Sequence, residues 1–498
     1  MNPDHEPAPL VGSELRYHAR RLPTPSRADL VRRGAVVTAA FARRLAPLGV
    51  AQVRHARDGV LAPEDFARPL RLAFEDVGGT FIKFGQILAS SPGLFGDEIS
   101  NEFRSCLDTG PVVGFSEVRR RVEDDLGIAL DYAFASFDHE PIGRASIAVV
   151  HRATLHDGRE VAVKVLRPGI DHLVATDLDL MEPLFELLVR QTGAQIAGAI
   201  FQQLDGFRLQ IGEEMDLRNE ARALTHFRAM TMASELNLIT VPEAFPELSG
   251  PNVLTMEFLD GVPIDDFAAC AEMGIDPAPL IDQLIRGFFQ MTVKNRMFHG
   301  DVHAGNLLLC RDGTIGVIDW GIVGRLDPET HWFLCRMLAA VLGDDDAWDD
   351  VTSHLIRTYG PAVGEAMGMD DAQLGVFMRA MIEPILLKPF GEVSFADMMT
   401  ATQVQVAQAH GVEFQKRSFG ATIKRIRLQR RIHKMATETG GLMSDFDRGY
   451  FLLGKQLMYF ERYGKLFLAD MPILSDREFI ASLLLEAGDV TPPEAARR

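Results

Sequence analysis

From Ala28 to Asp58, apolar residues interleave with arginines (VVTAAFARRLAPLGVAQVRHARDG), a pattern that predicts basic helical pieces broken near Pro47. Residues 64–107 continue as helices around TFIKFGQILASSPGLF. The texture then changes. Tyr132–Phe137, Ile147–Leu155 and Glu160–Leu166 are short runs with β-branched and aromatic content, the composition of strands. Asp157-Gly158 joins the last two as a type I′ hairpin turn, which needs positive φ at both central positions. Residues 171–230 read as helical and Val253–Phe258 as a strand. Beyond Pro277 the pattern is mostly helical, interrupted by strands Leu307–Cys310 and Thr314–Ile318 around a second turn, Asp312-Gly313. Residues 1–26, rich in proline and polar residues, read as mobile, and there is no internal repeat.

Composition puts these elements in a globular chain. Its 498 residues are 47% hydrophobic and 24% charged, which excludes wholesale disorder and is enough for several structural units. The formal charge of −18 argues against a general nucleic-acid binder. The charge is uneven: residues 1–60 hold ten arginines, no lysine and five acids, and residues 416–434 hold eight Lys/Arg and no acid. Either stretch is a candidate contact with an anionic membrane, and equally an ordinary solvated helix packed on the body. Four cysteines without a CxxC pair suit a reducing compartment. No signal peptide opens the chain and no 18-residue apolar run occurs, so the expected location is cytoplasmic, with peripheral contact at the inner face of a membrane and no transmembrane helix. The acids Asp344–Asp346, Asp349 and Asp350 read as a helix start, where carboxylates complement the dipole.

Candidate chemistry concentrates in FHGDVHAGNLLL (Phe298–Leu309) and VIDWG (Val317–Gly321). Phosphoryl transfer from ATP needs a carboxylate near the acceptor, oxygen ligands for Mg²⁺ and cations on the phosphates. Asp301 and Asn306 stand five apart, as in a kinase catalytic loop, so Asp301 can orient or deprotonate an acceptor. Asn306 and Asp319 offer hard oxygen atoms to Mg²⁺. Lys164 lies in a VAVK strand, placed to neutralise the ATP phosphates. About 20 residues earlier, Gly143-Arg144-Ala145-Ser146 form a small-residue turn whose backbone can approach phosphate. Glu257 and Phe258, ending the predicted strand Val253–Phe258, complete the nucleotide-contact candidates. In Glu213–Ala221, Asp216 and Glu220 are four apart and share a helical face, and Glu220 is the candidate partner of Lys164. The order is helical extension, small β-rich lobe with a helical insertion, then large helical lobe: the plan of a two-lobed α+β kinase. The expected boundaries are a basic segment 1–60, a helical extension 61–125, an N-lobe 126–256 and a C-lobe with a C-terminal helical extension 257–498.

Together these residues resemble the UbiB (AarF-type) family of atypical protein-kinase-like proteins, over residues 70–330. Lys83-Phe84-Gly85-Gln86 matches the family's KxGQ signature, and Glu214-Met215-Asp216 its ExD motif. Glu220 falls where the family has the glutamate that pairs with the strand lysine, here Lys164. Gly143–Ser146 matches the alanine-rich loop, while Asp301, Asn306 and Asp319 match the catalytic and metal positions. The resemblance implies a kinase-like fold whose KxGQ extension, with Lys83 and Gln86, folds over the active site and obstructs a protein substrate. It implies ATP binding, ATP hydrolysis and a link to isoprenoid-quinone or lipid biology, with a small or lipid-linked acceptor. Lys83 would bring a second cation near the phosphates, and Glu214 and Asp216 would offer carboxylates to Lys83 or to a metal. Departures are Gly143 and Arg144 in place of alanines, Val149 where the family often has glutamine, DVHAGN for DPHPGN, and Trp320 for the phenylalanine of DFG. None removes a required charge. Two other readings stand beside this one. The HGDxHxGN…IDW pattern is shared with small-molecule phosphotransferases of the aminoglycoside or choline kinase type, and a nucleotide-sensing scaffold would also keep these residues.

Overall fold

The computed structural model describes residues 17–54, 63–89, 97–103, 105, 112–192, 204–234, 236–367, 369–387, 448–468 and 476–488. The basic stretch 416–434 and Cys106 lie outside them. The chain divides into two units: Met1–Ala229 with Val241–Asp260 and Ile318–Ile322, and Met230–Thr240 with Gly261–Val317 and Val323–Arg498. Its strands, in chain order, are β1 (Ser136–Phe137), β2 (Gly143–Arg144), β3 (Ala148–Thr154), β4 (Glu160–Leu166), β5 (Ile239–Thr240), β6 (Val253–Glu257), β7 (Gly261–Pro263), β8 (Met297–His299), β9 (Leu307–Cys310), β10 (Ile315–Val317) and β11 (Val323–Arg325).

In the first unit, β1, β3, β4 and β6 form an antiparallel sheet in that order, with β2 also paired to β3. Side chains alternate along a strand. Val161, Val163 and Val165 of β4 therefore share one face, packed with Val118, Val122, Leu130 and Phe134. Lys164, opposite Val150 and Leu254 in the register, projects from the other face. Both Asp-Gly turns differ from the type I′ expectation. Gly158 and Gly313 have φ of 91° and 87°, whereas among described non-glycine residues only Arg296 and Asp319 have positive φ. Gly158 N–H donates to Leu155 O at 2.9 Å and Leu155 N–H to Arg159 O at 2.8 Å. A three-residue loop with only its last residue left-handed satisfies those bonds, so Asp157 keeps ordinary φ. Tyr132, expected in a strand, lies in the short helix Leu130–Ala133, whose first N–H is accepted by Glu123 Oε1 at 3.0 Å.

The helical part of this unit centres on Phe74, whose ring lies 5.1–6.4 Å from those of Phe41, Phe81, Phe84, Phe103 and Phe185. Each buried phenylalanine contributes about 1.5–3 kcal/mol of transfer free energy. These rings come from helices Arg27–Arg54, Pro63–Val77, Thr80–Ala89, Asp97–Phe103 and Ile170–Thr192. The first runs through Pro47 without the expected break. A proline deletes one backbone donor, and here that loss does not end the helix. The helical reading of residues 171–230 is interrupted: one helix is Leu204–Glu214 and the next is Leu217–Met232.

In the second unit, β5, β10, β9 and β7 form a sheet in that order, β5 parallel to β10 and the other pairs antiparallel, while β8 pairs with β11. Helix Ala278–Asn295 places Phe288 against Phe298 at 5.2 Å and Phe460 at 4.7 Å. Phe460 belongs to helix Arg448–Phe467. The acidic run starts helix Asp345–Met367, with Asp344 Oδ1 accepting from Ala347 N–H at 3.0 Å. The architecture is α+β.

Candidate active site

Lys164 is the centre of the charged cluster in the first unit. Its Nζ donates to both carboxylate oxygens of Glu220 at 2.9 and 3.0 Å and to Asp319 Oδ1 at 3.1 Å. Burial works against the ammonium, and Asp319 and Glu220 together overcome it, holding Lys164 protonated. Burial pushes Glu220 above the usual carboxylate range; Lys164 opposes that shift and Asp319 adds to it. Asp319 remains 46% exposed, open to a ligand. Its φ of 60° is uncommon for a residue with a Cβ, though aspartate tolerates it better than most. Next to it, Trp320 stacks on Phe227, centroids 4.2 Å apart. Phe227 lies two helical turns beyond Glu220 on the same helix, so one helix face fixes both the lysine's partner and the Asp319 turn.

Lys83 adds a second pair. In helix Thr80–Ala89, Phe81, Phe84 and Leu88 recur at i, i+3 and i+7 and are fully buried. That leaves Lys83 and Gln86 on another face, where Lys83 Nζ meets Glu214 Oε2 at 2.8 Å. Glu214 Oε1 accepts from Gln210 at 3.0 Å. Asp216 does not share a helical face with Glu220. It precedes helix Leu217–Met232, accepts from Arg218 N–H at 3.2 Å and is gripped by the Arg218 guanidinium at 2.6 and 2.9 Å. The two glutamates therefore come from separate helices. Both still approach Gly321, where an added Cβ would lie 3.3 Å from Asp319, 3.9 Å from Glu214 and 3.9 Å from Glu220.

Gly143 and Arg144 form β2 rather than an open turn, and Ala145 N–H donates to Ala148 O at 2.9 Å. The Ala145 carbonyl accepts from Arg167 Nε at 2.9 Å, and Ser146 is buried. Glu257 Oε2 accepts from Arg228 at 3.1 Å, and the Arg152 guanidinium lies 4.4 Å over the Phe258 ring.

The second unit holds the loop after β8. His299 Nδ1 accepts from Asp301 N–H at 2.9 Å, and Asn306 Nδ2 donates to Asp301 O at 2.9 Å, closing the loop on itself. Lys455 Nζ lies 2.8 Å from Asp301 Oδ1. Sequence reasoning missed Lys455; the signal was its spacing with Tyr459 and Tyr463, one turn apart on one helix. It also missed the strap at Tyr17–Arg20. His18 exchanges backbone bonds with the Asn219 amide at 3.0 Å each way, Arg20 bonds Met215 O at 3.1 Å, Asn252 at 2.6 Å and Asp171 at 3.0 Å, and Tyr17 OH donates to Trp320 O at 3.3 Å. Residues expected to be mobile thus bind the segment that carries Glu214 and Asp216.

A strand lysine clamped by a helix glutamate, with the DxG-type aspartate on its other side, defines a kinase-like α+β protein. Residues 106–349 match the ABC1 atypical kinase-like domain. An uncharacterized protein of Mycobacterium tuberculosis is 33% identical, covering 84% of this chain and 79% of its own. An uncharacterized aarF domain-containing protein kinase, chloroplastic, of Arabidopsis thaliana is 32% identical, covering 82% and 73%. A probable protein kinase UbiB of Cellvibrio japonicus is 33% identical, covering 66% of this chain and 59% of that one. Among solved structures, a Mycobacterium tuberculosis protein in complex with erythromycin is similar with a TM-score of 0.39 and 21% identity, covering 76% of this chain and 94% of that one. The chain belongs to the ABC1 family of atypical kinase-like proteins, with the aarF and UbiB proteins.

Proposed function

We propose that the protein is an Mg-dependent atypical kinase or ATPase that binds ATP and transfers its γ-phosphoryl group to water or to a small or lipid-linked hydroxyl acceptor. The observation that carries this reading is Lys164, ion-paired to Glu220 and Asp319 at 2.9 and 3.1 Å. Lys164 would bind the α- and β-phosphates, and Glu220 keeps its ammonium aimed. Asp319 and Asn306 would each offer Mg²⁺ a hard oxygen donor. Bound there, the ion would neutralise phosphate charge. Asp301 orients the acceptor and takes its proton. The acceptor oxygen bonds to the γ-phosphorus as the β–γ bridging bond breaks, and the bridging oxygen leaves on ADP with the electron pair.

The Lys83–Glu214 pair favours this reading over a small-molecule phosphotransferase, which needs neither residue. A role in isoprenoid-quinone or lipid metabolism rests on the resemblance to the UbiB family, whose name several relatives carry. The test is ATP turnover with Mg²⁺, with and without anionic liposomes, for the wild type and Asp319→Asn. Turnover is expected in the wild type and a fall of at least about 100-fold in the variant. Equal nucleotide affinity and turnover in the two proteins would remove the proposal.

A further inference from the structure

Helix Arg448–Phe467 lies outside the residues that match the family domain, yet its side chains contact the loop at Asp301. Lys455, Tyr459 and Tyr463 recur every four residues and so share a face. Lys455 Nζ sits 2.8 Å from Asp301 Oδ1, with 9% of the lysine side chain and 18% of the aspartate exposed. Tyr459 OH donates to the same oxygen at 3.5 Å. One turn on, the buried Tyr463 OH donates to Val302 O at 2.6 Å. The loop itself has no Lys or Arg from Asp301 to Asn306 (DVHAGN), so the cation beside this carboxylate comes from elsewhere in the chain.

Geometry argues for more than a fastener. A helix needing only an anchor could hold the loop through Tyr463 and the backbone carbonyl. Here the same face also grips Asp301, the side chain of the loop that meets the acceptor in the proposed reaction. A charge-assisted bond of this length is strong and holds the carboxylate oxygen close to the ammonium. An ammonium that is nearly buried, on a helix packed through Phe460 against Phe288, has little freedom to follow a wandering carboxylate. We propose that Lys455 is a positioning residue for the phosphoryl-transfer step, acting through Asp301: it fixes the carboxylate that meets the acceptor, and helix Arg448–Phe467 thereby completes a centre that the family domain leaves unfinished. This rests on the kinase-like reading of Asp301.

The test measures release of labelled γ-phosphate by the full chain with Mg²⁺ and ATP, and binding of a fluorescent ATP analogue. The proteins are the wild type, Lys455→Met, Lys455→Arg, Asp301→Asn and the double variant Asp301→Asn/Lys455→Met. Lys455→Met is expected to lower kcat by about tenfold or more with KM and analogue affinity within about twofold, because the lost interaction matters at the transition state. Lys455→Arg should recover part of the rate. In the Asp301→Asn background, Lys455→Met should change nothing further, since the residue acts through the missing carboxylate. If Lys455→Met unfolds, Tyr459→Phe, which removes only the hydroxyl reaching the same oxygen, serves for the same comparison with a smaller loss. Unchanged kcat, or equal losses in both backgrounds, overturns the positioning role and leaves the kinase reading standing. A wild type that neither binds nor turns over ATP overturns that reading and this role together.

Discussion

Removing the Lys164 ammonium would leave Glu220, 3% exposed, facing Asp319 without its cation. Breaking a buried pair on one side costs about 3–5 kcal/mol, whereas removing both partners costs much less. Lys164→Met should therefore lower the unfolding free energy by about 3 kcal/mol, and Lys164→Met/Glu220→Leu should recover most of it in denaturant titrations. Gly143 behaves oppositely. A Cβ there would meet Val150 at 3.6 Å, ordinary contact, and φ is not left-handed. Gly143→Ala should melt within about 2 °C of the wild type, so any change in its nucleotide affinity reports loop chemistry rather than folding. At this scale the sequence was informative where a motif names a partner: Glu220 was the candidate partner of Lys164 and meets it, and Glu214, one of the two carboxylates the resemblance offered to Lys83 or to a metal, meets Lys83. Lys455 and Arg20 were not found, because each acts on residues more than 150 positions away; the spacing of Lys455 with Tyr459 and Tyr463 marks a helix face but not what that face meets.

The break between helices Leu204–Glu214 and Leu217–Met232 matters more than either helix alone. It puts Glu214 at one end and Glu220 in the first turn of the next, with Arg20 bonded to the Met215 carbonyl at the junction. Arg20→Ala would strip partners from Met215 O, Asn252 and Asp171. Hydrogen exchange of the amides from Glu213 to Glu220 should then accelerate at least about tenfold, as expected when about 1–3 kcal/mol of buried bonding is lost; unchanged exchange would show the strap to be passive. A second element contact is pH-dependent. Arg44 and Arg43 hold Asp76 across helices Arg27–Arg54 and Pro63–Val77, and Arg44 above all draws its carboxyl down to about 2. The folded value lies below the unfolded one, so the contribution is full above about pH 4 and lost as pH falls through about 2. The melting-temperature gap between the wild type and Asp76→Asn should be constant from pH 7 to 5 and shrink from pH 4 downwards. Strand positions and helix existence were legible here because periodicity encodes them. Turn type, the course through Pro47 and the 215–216 break were not, since each is decided by hydrogen bonds to distant or neighbouring turns.

Over the whole molecule, the basic N-terminus has a different meaning from the one its charge suggests. Of the ten arginines in residues 1–60, Arg20, Arg33, Arg43 and Arg44 are ion-paired inside the first unit, to Asp171, Asp177 and Asp76. Deleting residues 1–60 should lower the melting temperature of the protein by several degrees besides changing any membrane binding, because buried carboxylates such as Asp177 lose their arginine partners. Co-sedimentation with anionic vesicles is therefore better compared using charge changes in residues 416–434, which carry eight Lys/Arg. The cluster around Lys164 has a consequence of its own. Among the described residues, the ion pairs of Lys83 and Lys164 with Glu214, Glu220 and Asp319 set two cations against three carboxylates. A polyanion cannot settle beside such a surplus without importing countercharge. Nucleotide association should thus behave as a coupled uptake of two ligands: plotted logarithmically, its constant rises with free divalent cation, and chelation dissociates the nucleotide even from a fully folded protein.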